Sequence, residues 1–318
     1  MASSPGQVRK REVGPFLGVL IGALVGVSIA LLGFYLAGWH ARNMGWTLFL
    51  LVPICAGIAI ALVTRKGDKA AAAAWLAVIV SLLILVATKM EGLLCALMAF
   101  VFVLAAVGIG ILIGFLLEKL AKLLGRDPAM FRSVVFLALP LLIVGGHRAE
   151  DASWKHPRQE VVTNSIRLSA PPDQVWANIQ SLDSLGGRKP LLMYVGLPIP
   201  MRCEMKGTGV GAKRTCYFDH GYIEETVLEW SPPYRMRLSI DRTNMPGRHW
   251  LEFEGAEYDL RADGTATVIT RTTTIASGLY PAWYWQTLER WGVASEHEYL
   301  FRDLARRFSE NSAQAGAR

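Results

Sequence analysis

Residues 131–160 read FRSVVFLALPLLIVGGHRAEDASWKHPRQE, and the chain changes character inside this stretch. Up to Gly146 nearly every long segment is apolar, whereas charged and polar residues alternate with apolar ones after His147. The first pattern is typical of membrane helices and the second of a soluble domain. The sequence therefore predicts a protein that works at a membrane surface.

The apolar half divides into segments of helix-forming length. A bilayer core needs about 20 apolar residues per helix. Four segments meet that length: residues 14–39, 46–64, 70–88 and 92–117. The fifth, 131–146, is shorter and contains Pro140, so an interfacial or re-entrant helix is the alternative there. We predict an all-α transmembrane bundle of about five helices, preceded by a cytoplasmic tail at residues 1–13.

The net charge of +7 does not indicate a nucleic-acid partner, because much of the excess lies between the apolar segments. No basic stripe is interleaved with aromatic residues, as a nucleic-acid groove would require. Ten cationic residues lie before the first segment and in two alternate connections: Arg9, Lys10, Arg11, Arg65, Lys66, Lys69, Lys119, Lys122, Arg126 and Arg132. The other two connections carry only Arg42 and Lys89.

This asymmetry predicts the orientation of the chain, since cytoplasmic loops are enriched in Lys and Arg. We expect a multi-pass protein of a bacterial-type inner membrane with its N-terminus in the cytoplasm. Five crossings place the C-terminal domain in the periplasm. If residues 131–146 do not cross, the domain is cytoplasmic instead.

Small residues recur every four positions in the first segment, at Gly14, Gly18, Gly22 and Gly26. Such spacing forms a smooth helix face against which another helix can pack closely. Packing within the chain is one interpretation, and a homodimer through this face is the other. Charged residues are absent from the middle of all five segments, which disfavours a transporter built from this half alone.

The soluble half begins after a polar linker at residues 147–159 and forms a domain over 160–308. A strand at 160–168 is followed by a short helix from Pro172. Six more strands are predicted at residues 201–206, 212–218, 222–230, 234–241, 249–261 and 265–274. Asp263-Gly264 is a two-residue hairpin signal, and a shift of the apolar phase at Gly255 predicts a β-bulge. A long amphipathic helix spans 281–308, and residues 309–318 form a disordered tail.

Three motifs in this half resemble the START-like helix-grip superfamily, also called SRPBCC, which includes polyketide cyclases/dehydrases and lipid-transport proteins. They are SAPPDQVW (169–176), GTGVGAKR (207–214) and ETVLEWSPPYR (225–235). The resemblance covers about 155–310. It implies an α+β domain in which a curved antiparallel sheet of about seven strands grips the last helix, with a hydrophobic cavity between them.

Candidate cavity residues come from both elements. On the last helix, His297 falls between Ala294 and Phe301 on the apolar stripe that also includes Tyr284 and Trp291, so it is a cavity candidate together with Tyr284, Trp291 and Phe301. A surface position beside Glu296 and Glu298 is the alternative for His297. The strands offer four polar candidates, for which a solvent-facing position is the favoured alternative: Arg214, His220, Glu224 and Arg237. No nucleophile elbow and no His pair at metal-ligand spacing is recognisable. We therefore assign no catalytic residue and predict neither a metal nor a cofactor.

Two cysteines lie almost symmetrically about the Gly207–Gly211 turn. Cys203 and Cys216 would face each other across a hairpin, at a separation near the range that a disulfide needs. An extracytoplasmic domain permits the bond. Two reduced cysteines in the sheet are the alternative.

Three functions fit these features. The first is binding of a membrane lipid or another hydrophobic small molecule close to the bilayer. The second is an enzyme of the cyclase or hydrolase kind on a lipophilic substrate, which two titratable side chains converging in the cavity would favour. The third is an assembly module without ligand, which a cavity below about 300 Å³ would favour.

Overall fold

The computed structural model describes residues 15–38, 45–153, 157–180, 182–245 and 251–316. They form two compact units. The helical unit comprises described residues of 1–39, 47–83 and 100–148. The C-terminal unit comprises described residues of 40–46, 84–99 and 149–318.

Among the described residues, five helices are long and apolar enough to cross a membrane. They are α1 (Pro15–Gly38), α2 (Val52–Thr64, preceded by a π-helical segment Thr47–Leu51), α3 (Gly67–Ala87), α4 (Leu93–Leu123) and α5 (Pro128–Ser153). The short apolar segment at 131–146 is therefore part of a 26-residue helix that continues through Pro140. At 1.5 Å per residue α5 is about 39 Å long, more than a hydrocarbon core of about 30 Å requires.

Glycines let the helices of the helical unit pack closely. A Cβ placed on Gly57 would lie 2.1 Å from the carbonyl oxygen of Val107, and one on Gly110 would lie 2.2 Å from that of Ile54. The face of α1 on which glycines recur every four residues also packs within the chain. A Cβ placed on Gly22 would lie 2.6 Å from the Thr64 side chain, and one on Gly26 would lie 2.7 Å from the Ile60 side chain. Gly14 lies outside the described residues.

The C-terminal unit contains one antiparallel sheet of seven strands in the order β1-β7-β6-β5-β4-β3-β2. The strands are β1 (Arg158–Leu168), β2 (Pro200–Lys206), β3 (Lys213–Phe218), β4 (Gly221–Ser231), β5 (Arg235–Thr243), β6 (Leu251–Asp263) and β7 (Ala266–Ser277). The expected bulge is confirmed, since the register between β6 and β7 shifts between Phe253 and Gly255. Gly264 has φ +64° in the turn that joins these two strands.

Three helices accompany the sheet: α6 (Pro172–Gln180), α7 (Leu191–Tyr194) and α8 (Ala282–Gly316). α6 buries Val175, Trp176 and Ile179, and α8 buries an apolar stripe that includes Leu300 and Leu304. Both helices share one core with the sheet. α8 continues past residue 308, to Gly316. The predicted fold class, a helical membrane bundle followed by an α+β domain with a long C-terminal helix, is confirmed.

Candidate functional site

A cavity of about 590 Å³ lies inside the C-terminal unit. Its walls come from the inner face of the sheet, from α7 and α8, and from the segment 84–99. Most of the lining is apolar and includes Leu93, Leu94, Met98, Leu182, Met193, Leu197, Phe218, Ile223, Ile240, Phe253, Leu279, Trp285, Leu288 and Leu300. This volume is within the range of small-molecule sites and well above the value expected of a domain without ligand.

Several charged side chains also line this cavity. We call four of them the charged quartet: Arg214, Glu225, Arg271 and Glu296. Arg214 on β3 lies directly opposite Glu225 on β4, and its Nη1 is 3.0 Å from Glu225 Oε2. Arg271 on β7 pairs with Glu296 on α8 at 2.9 Å. Both guanidinium groups lie near the Tyr258 ring, at 5.7 Å for Arg214 and 5.3 Å for Arg271.

Burial dominates the electrostatics of this quartet. Arg214 is 2% exposed and Glu225 is 5% exposed. Loss of water raises the pKa of Glu225, and the nearby guanidiniums of Arg214 and Arg271 oppose the rise only in part. Burial also works against the charge of Arg271, but the carboxylates of Glu296 and Glu225 together with Tyr258 hold its pKa above the ordinary value. The two arginines therefore keep their charges, while burial favours the neutral form of Glu225.

His297 is completely buried between the sheet and α8. Its Nδ1 lies 2.9 Å from Asn164 Oδ1 on β1, and its Nε2 lies 2.8 Å from Thr273 Oγ1 on β7. With Nδ1–H donating to Asn164, Nε2 accepts the hydroxyl hydrogen of Thr273, which lines the cavity. This arrangement resembles a nucleophile with its base: the Thr273 hydroxyl would be the nucleophile, the His297 imidazole the base, and the Asn164 amide the group that orients the base.

Electrostatics argue against such chemistry at His297. Burial and the charge of Arg271 lower the pKa of His297 to about 2. A general base works best with a pKa near the working pH. The imidazole is therefore a neutral structural partner that fixes the Thr273 hydroxyl, and the surface position considered for His297 is wrong.

The structure divides the other predicted site residues into two groups. Arg214 and His220 line the cavity, the first as a buried wall residue and the second as a 75% exposed side chain beside Asp219. The remaining candidates do not line it. Arg237 is exposed, and Glu224 is partly exposed and 3.8 Å from Arg242.

The aromatic candidates on α8 also lie elsewhere. Trp291 is 48% exposed, and Phe301 is buried in the main core of the domain. The Tyr284 hydroxyl donates to the backbone carbonyl of Met98. Of the three, only Phe301 belongs to the core that α8 shares with the sheet, and this packing needs no cavity.

Three members of the charged quartet, Glu225, Arg271 and Glu296, were not among the predicted site residues. Strand alternation contained the signal for the first, because Glu225 stands between buried Ile223 and Val227. Successive side chains of a strand point to opposite faces, so Glu225 shares the inner face with its apolar neighbours. The choice of Glu224 was therefore an error of one residue in strand phase.

The predicted pairing of Cys203 with Cys216 is present. These residues are register partners on β2 and β3 and form a disulfide, and both line the cavity. The Cys216 sulfur lies 3.6 Å from Glu225 Oε2. The disulfide thus forms the part of the wall next to the Arg214–Glu225 pair.

No protein-family model matches the chain, and no curated protein matches it in sequence. Solved structures similar to the C-terminal half include a START superfamily protein from Mycobacterium smegmatis, 9% identical, covering 47% of this chain and 97% of its own, with a TM-score of 0.36. The Aha1 dimer from Colwellia psychrerythraea is 14% identical in sequence, and the match covers 46% of this chain and 96% of the Aha1 chain, with a TM-score of 0.31. Norcoclaurine synthase from Thalictrum flavum is 11% identical in sequence, and the match covers 49% of this chain and 89% of the synthase chain, with a TM-score of 0.32.

The strand order and the packing of α8 on the sheet match the architecture that the sequence resemblance implied. The C-terminal half is a seven-stranded antiparallel sheet with a long C-terminal helix packed on it. A fold of this kind hosts many functions, so the function must be argued from the cavity.

Proposed function

We propose that this protein is a membrane-anchored binding protein whose C-terminal domain holds a hydrophobic ligand of the lipid class. The observation that carries the proposal is the apolar cavity of about 590 Å³. Filling it with a hydrocarbon chain removes apolar surface from water, at about 25 cal/mol per Å² of buried area. The cavity size argues against an assembly module without ligand. A homodimer through the glycine face of α1 stays a prediction.

The position of the domain relative to the membrane is also a proposal. The asymmetry of the loop charges favours a cytoplasmic N-terminus and a periplasmic domain in a bacterial-type inner membrane. The 26-residue length of α5 supports a fifth crossing. In addition, the connection at residues 84–99, which the charge count puts outside, belongs to the same compact unit as the domain. Alkaline phosphatase fused after residue 318 should be active, and an inactive fusion with an active cytoplasmic reporter at the same site would contradict this orientation.

Retention of lipid by the purified full-length protein tests the binding function. Mass spectrometry should find a hydrophobic molecule bound in stoichiometric amount. Gly292→Trp places a large side chain in the cavity, where the first Cβ contact is an ordinary 3.8 Å to Leu197. This variant should lose the molecule. Gly108→Trp, a helical glycine with open space around it, is the matched control and should keep it. Equal lipid content in both variants would count against the cavity.

A second candidate, an enzyme acting on a lipophilic substrate, is favoured by one observation. Glu225 is a buried cavity carboxyl whose pKa is raised by burial, as is common for catalytic acids. Its close pairing with Arg214 weighs against proton transfer. Binding alone predicts that wild type and Glu225→Gln retain chemically identical molecules, whereas catalysis predicts product in the wild type and substrate in the variant.

A further inference from the structure

The ends of two apolar helices form part of the cavity wall. The lining includes Val86 in the last turn of α3 and three residues in the first turns of α4: Leu93, Leu94 and Met98. Both helices are long and apolar enough to cross a membrane. Because residues 88–92 alone join them, their connection turns back at a single membrane surface. This part of the cavity wall is therefore continuous with two helices that suit a bilayer.

The exposed part of the cavity lining includes one of these helix ends. Among the lining residues that the structure describes, five are exposed, and we call them the mouth: Lys89, Leu93, Gly196, Asp219 and His220. A Cβ placed on Gly196 would lie 3.3 Å from the Leu93 side chain. The Asp219 carboxylate accepts the backbone N–H of Ile199 at 2.9 Å, and the Asp219 N–H donates to the Ile199 carbonyl at 3.0 Å. Residues 196–199 thus connect the two sides of the mouth.

Exposed apolar side chains accompany this end of α4. Leu93 is 47% exposed, and Leu97, one turn further along the helix, is 50% exposed. The Tyr284 hydroxyl near the start of α8 donates to the carbonyl of Met98, and the adjacent Trp283 is 68% exposed. Tyrosine and tryptophan are enriched where a membrane meets water. A lipid that crosses such a surface keeps its apolar part out of water, which a path through bulk solvent does not allow.

We propose that the cavity exchanges its ligand directly with the bilayer leaflet at the α3–α4 connection, through the mouth beside Leu93. This inference rests on the proposed binding function and adds the source of the ligand, which is the membrane that holds the protein's own helices. Lys89 suits the head-group side of this path, because a lysine stem packs on apolar groups while its amine stays in a polar environment. Delivery through water or by a soluble carrier protein is the alternative.

Two sets of nanodiscs test this route with the full-length protein. One set holds the protein without a photoreactive lipid. The other holds no protein and contains phosphatidylethanolamine with a diazirine in one acyl chain. After mixing, samples are irradiated at successive times. Labelling of the span peptide, which contains the exposed Trp75 of α3, reports when the lipid arrives in the protein's own bilayer. Labelling of the cavity peptide, which contains Phe218 and Ile223, reports when the lipid reaches the cavity.

Direct exchange predicts that labelling of the cavity peptide never precedes labelling of the span peptide. Discs assembled with both the protein and the photoreactive lipid should show both peptides labelled from the start. Protein in detergent that contains the same lipid measures binding without regard to the route, and its cavity peptide should be labelled as well.

A pair of tryptophan variants locates the route at the mouth. Leu93→Trp narrows the mouth and should delay labelling of the cavity peptide, relative to the span peptide, by roughly five-fold or more, the effect of an overpacked contact. The final level of labelling should be unchanged, since the cavity itself is not filled. Leu97→Trp is the matched control, because Leu97 is similarly exposed on the same helix but does not line the cavity. This control should cause no delay.

The outcomes separate this inference from the proposed function. If the cavity peptide is labelled neither in detergent nor in discs, lipid binding itself fails. If it is labelled in detergent but not in discs assembled with the lipid, or if it is labelled before the span peptide, binding stands and direct exchange is overturned. Equal time courses for Leu93→Trp and Leu97→Trp, with correct folding shown by protease resistance, also overturn it.

Discussion

Lowering the pH from 7 to 5 should destabilise the C-terminal domain through His297. The imidazole is buried, is bound to Asn164 and Thr273, and has its pKa lowered to about 2 by burial and by Arg271. In the unfolded chain a histidine titrates near about 6.5. Between these two values the unfolded state binds the additional proton. Stability from the neutral imidazole is therefore complete above pH 6.5 and declines as the pH falls toward 2.

The size of the effect follows from the two pKa values. At pH 5 the unfolded state gains about 2 kcal/mol from protonation of this one residue, while at pH 7 the gain is only about 0.2 kcal/mol. The expected loss is close to 2 kcal/mol, a large part of the stability of an ordinary domain, which is about 5–15 kcal/mol.

Pulse proteolysis of the full-length protein in detergent, over a urea series at each pH, measures this loss. His297→Gln keeps hydrogen-bonding groups but does not titrate, so the difference in unfolding free energy between wild type and this variant should shrink by about 2 kcal/mol between pH 7 and pH 5. His220→Gln is the control, because that side chain is 75% exposed. A wild-type minus His297→Gln difference that is the same at both pH values would refute the assignment of a neutral, buried imidazole.

Three further predictions concern the site and the helical unit. Arg214→Met should lower the free energy of unfolding by about 3–5 kcal/mol, because it leaves Glu225 buried without its counter-charge. Adding Glu225→Leu should recover more than half of this loss. Equal losses in the single and double variants, measured by pulse proteolysis, would contradict the pairing. Protein taken from its native compartment without reductant should show no free thiol at Cys203 or Cys216, and alkylation of both residues in mass spectra would count against the bond. Replacing both cysteines with Ala should lower the free energy of unfolding by about 3 kcal/mol, the value for a short closed loop. Gly57→Ala should destabilise the helical unit by about 1–3 kcal/mol or more, because its Cβ would lie 2.1 Å from the Val107 carbonyl oxygen. Gly108→Ala is the control, since its Cβ would have open space around it. Equal melting temperatures for the two variants would refute the close approach.

Sequence periodicity was sufficient to predict the architecture. Seven strands and the helix from Pro172 follow from alternation and turn residues, because both depend on neighbours along the chain. The length of α5 was harder to predict. Residues 147–153 are too polar to count as membrane-spanning by hydropathy, yet they extend the helix beyond Gly146, and at the other end the helix begins at Pro128 rather than at Phe131.

The site depends on contacts that no local pattern contains. His297 has partners 133 and 24 residues away, on β1 and β7. Its neighbours in sequence, Glu296 and Glu298, indicate an exposed surface. Only the β1–β7 pairing places Asn164 and Thr273 where they can enclose the ring. The same holds for Arg271 and Glu296, which meet across the interface between sheet and helix.

The packing of α8 explains how the domain tolerates a large cavity. Near its N-terminal end, Arg290 binds the buried carboxylate of Glu160 on β1 at 2.9 Å. In its C-terminal half, buried Asp303 accepts from the backbone N–H of Gly186 at 3.0 Å. None of these four residues lines the cavity. Because these contacts hold the helix from outside, the side chains inside are not required to fill the space between helix and sheet. A buried quartet of charges adds little stability over apolar residues of similar volume. The stability of the fold therefore does not by itself account for the place of this quartet at the cavity wall.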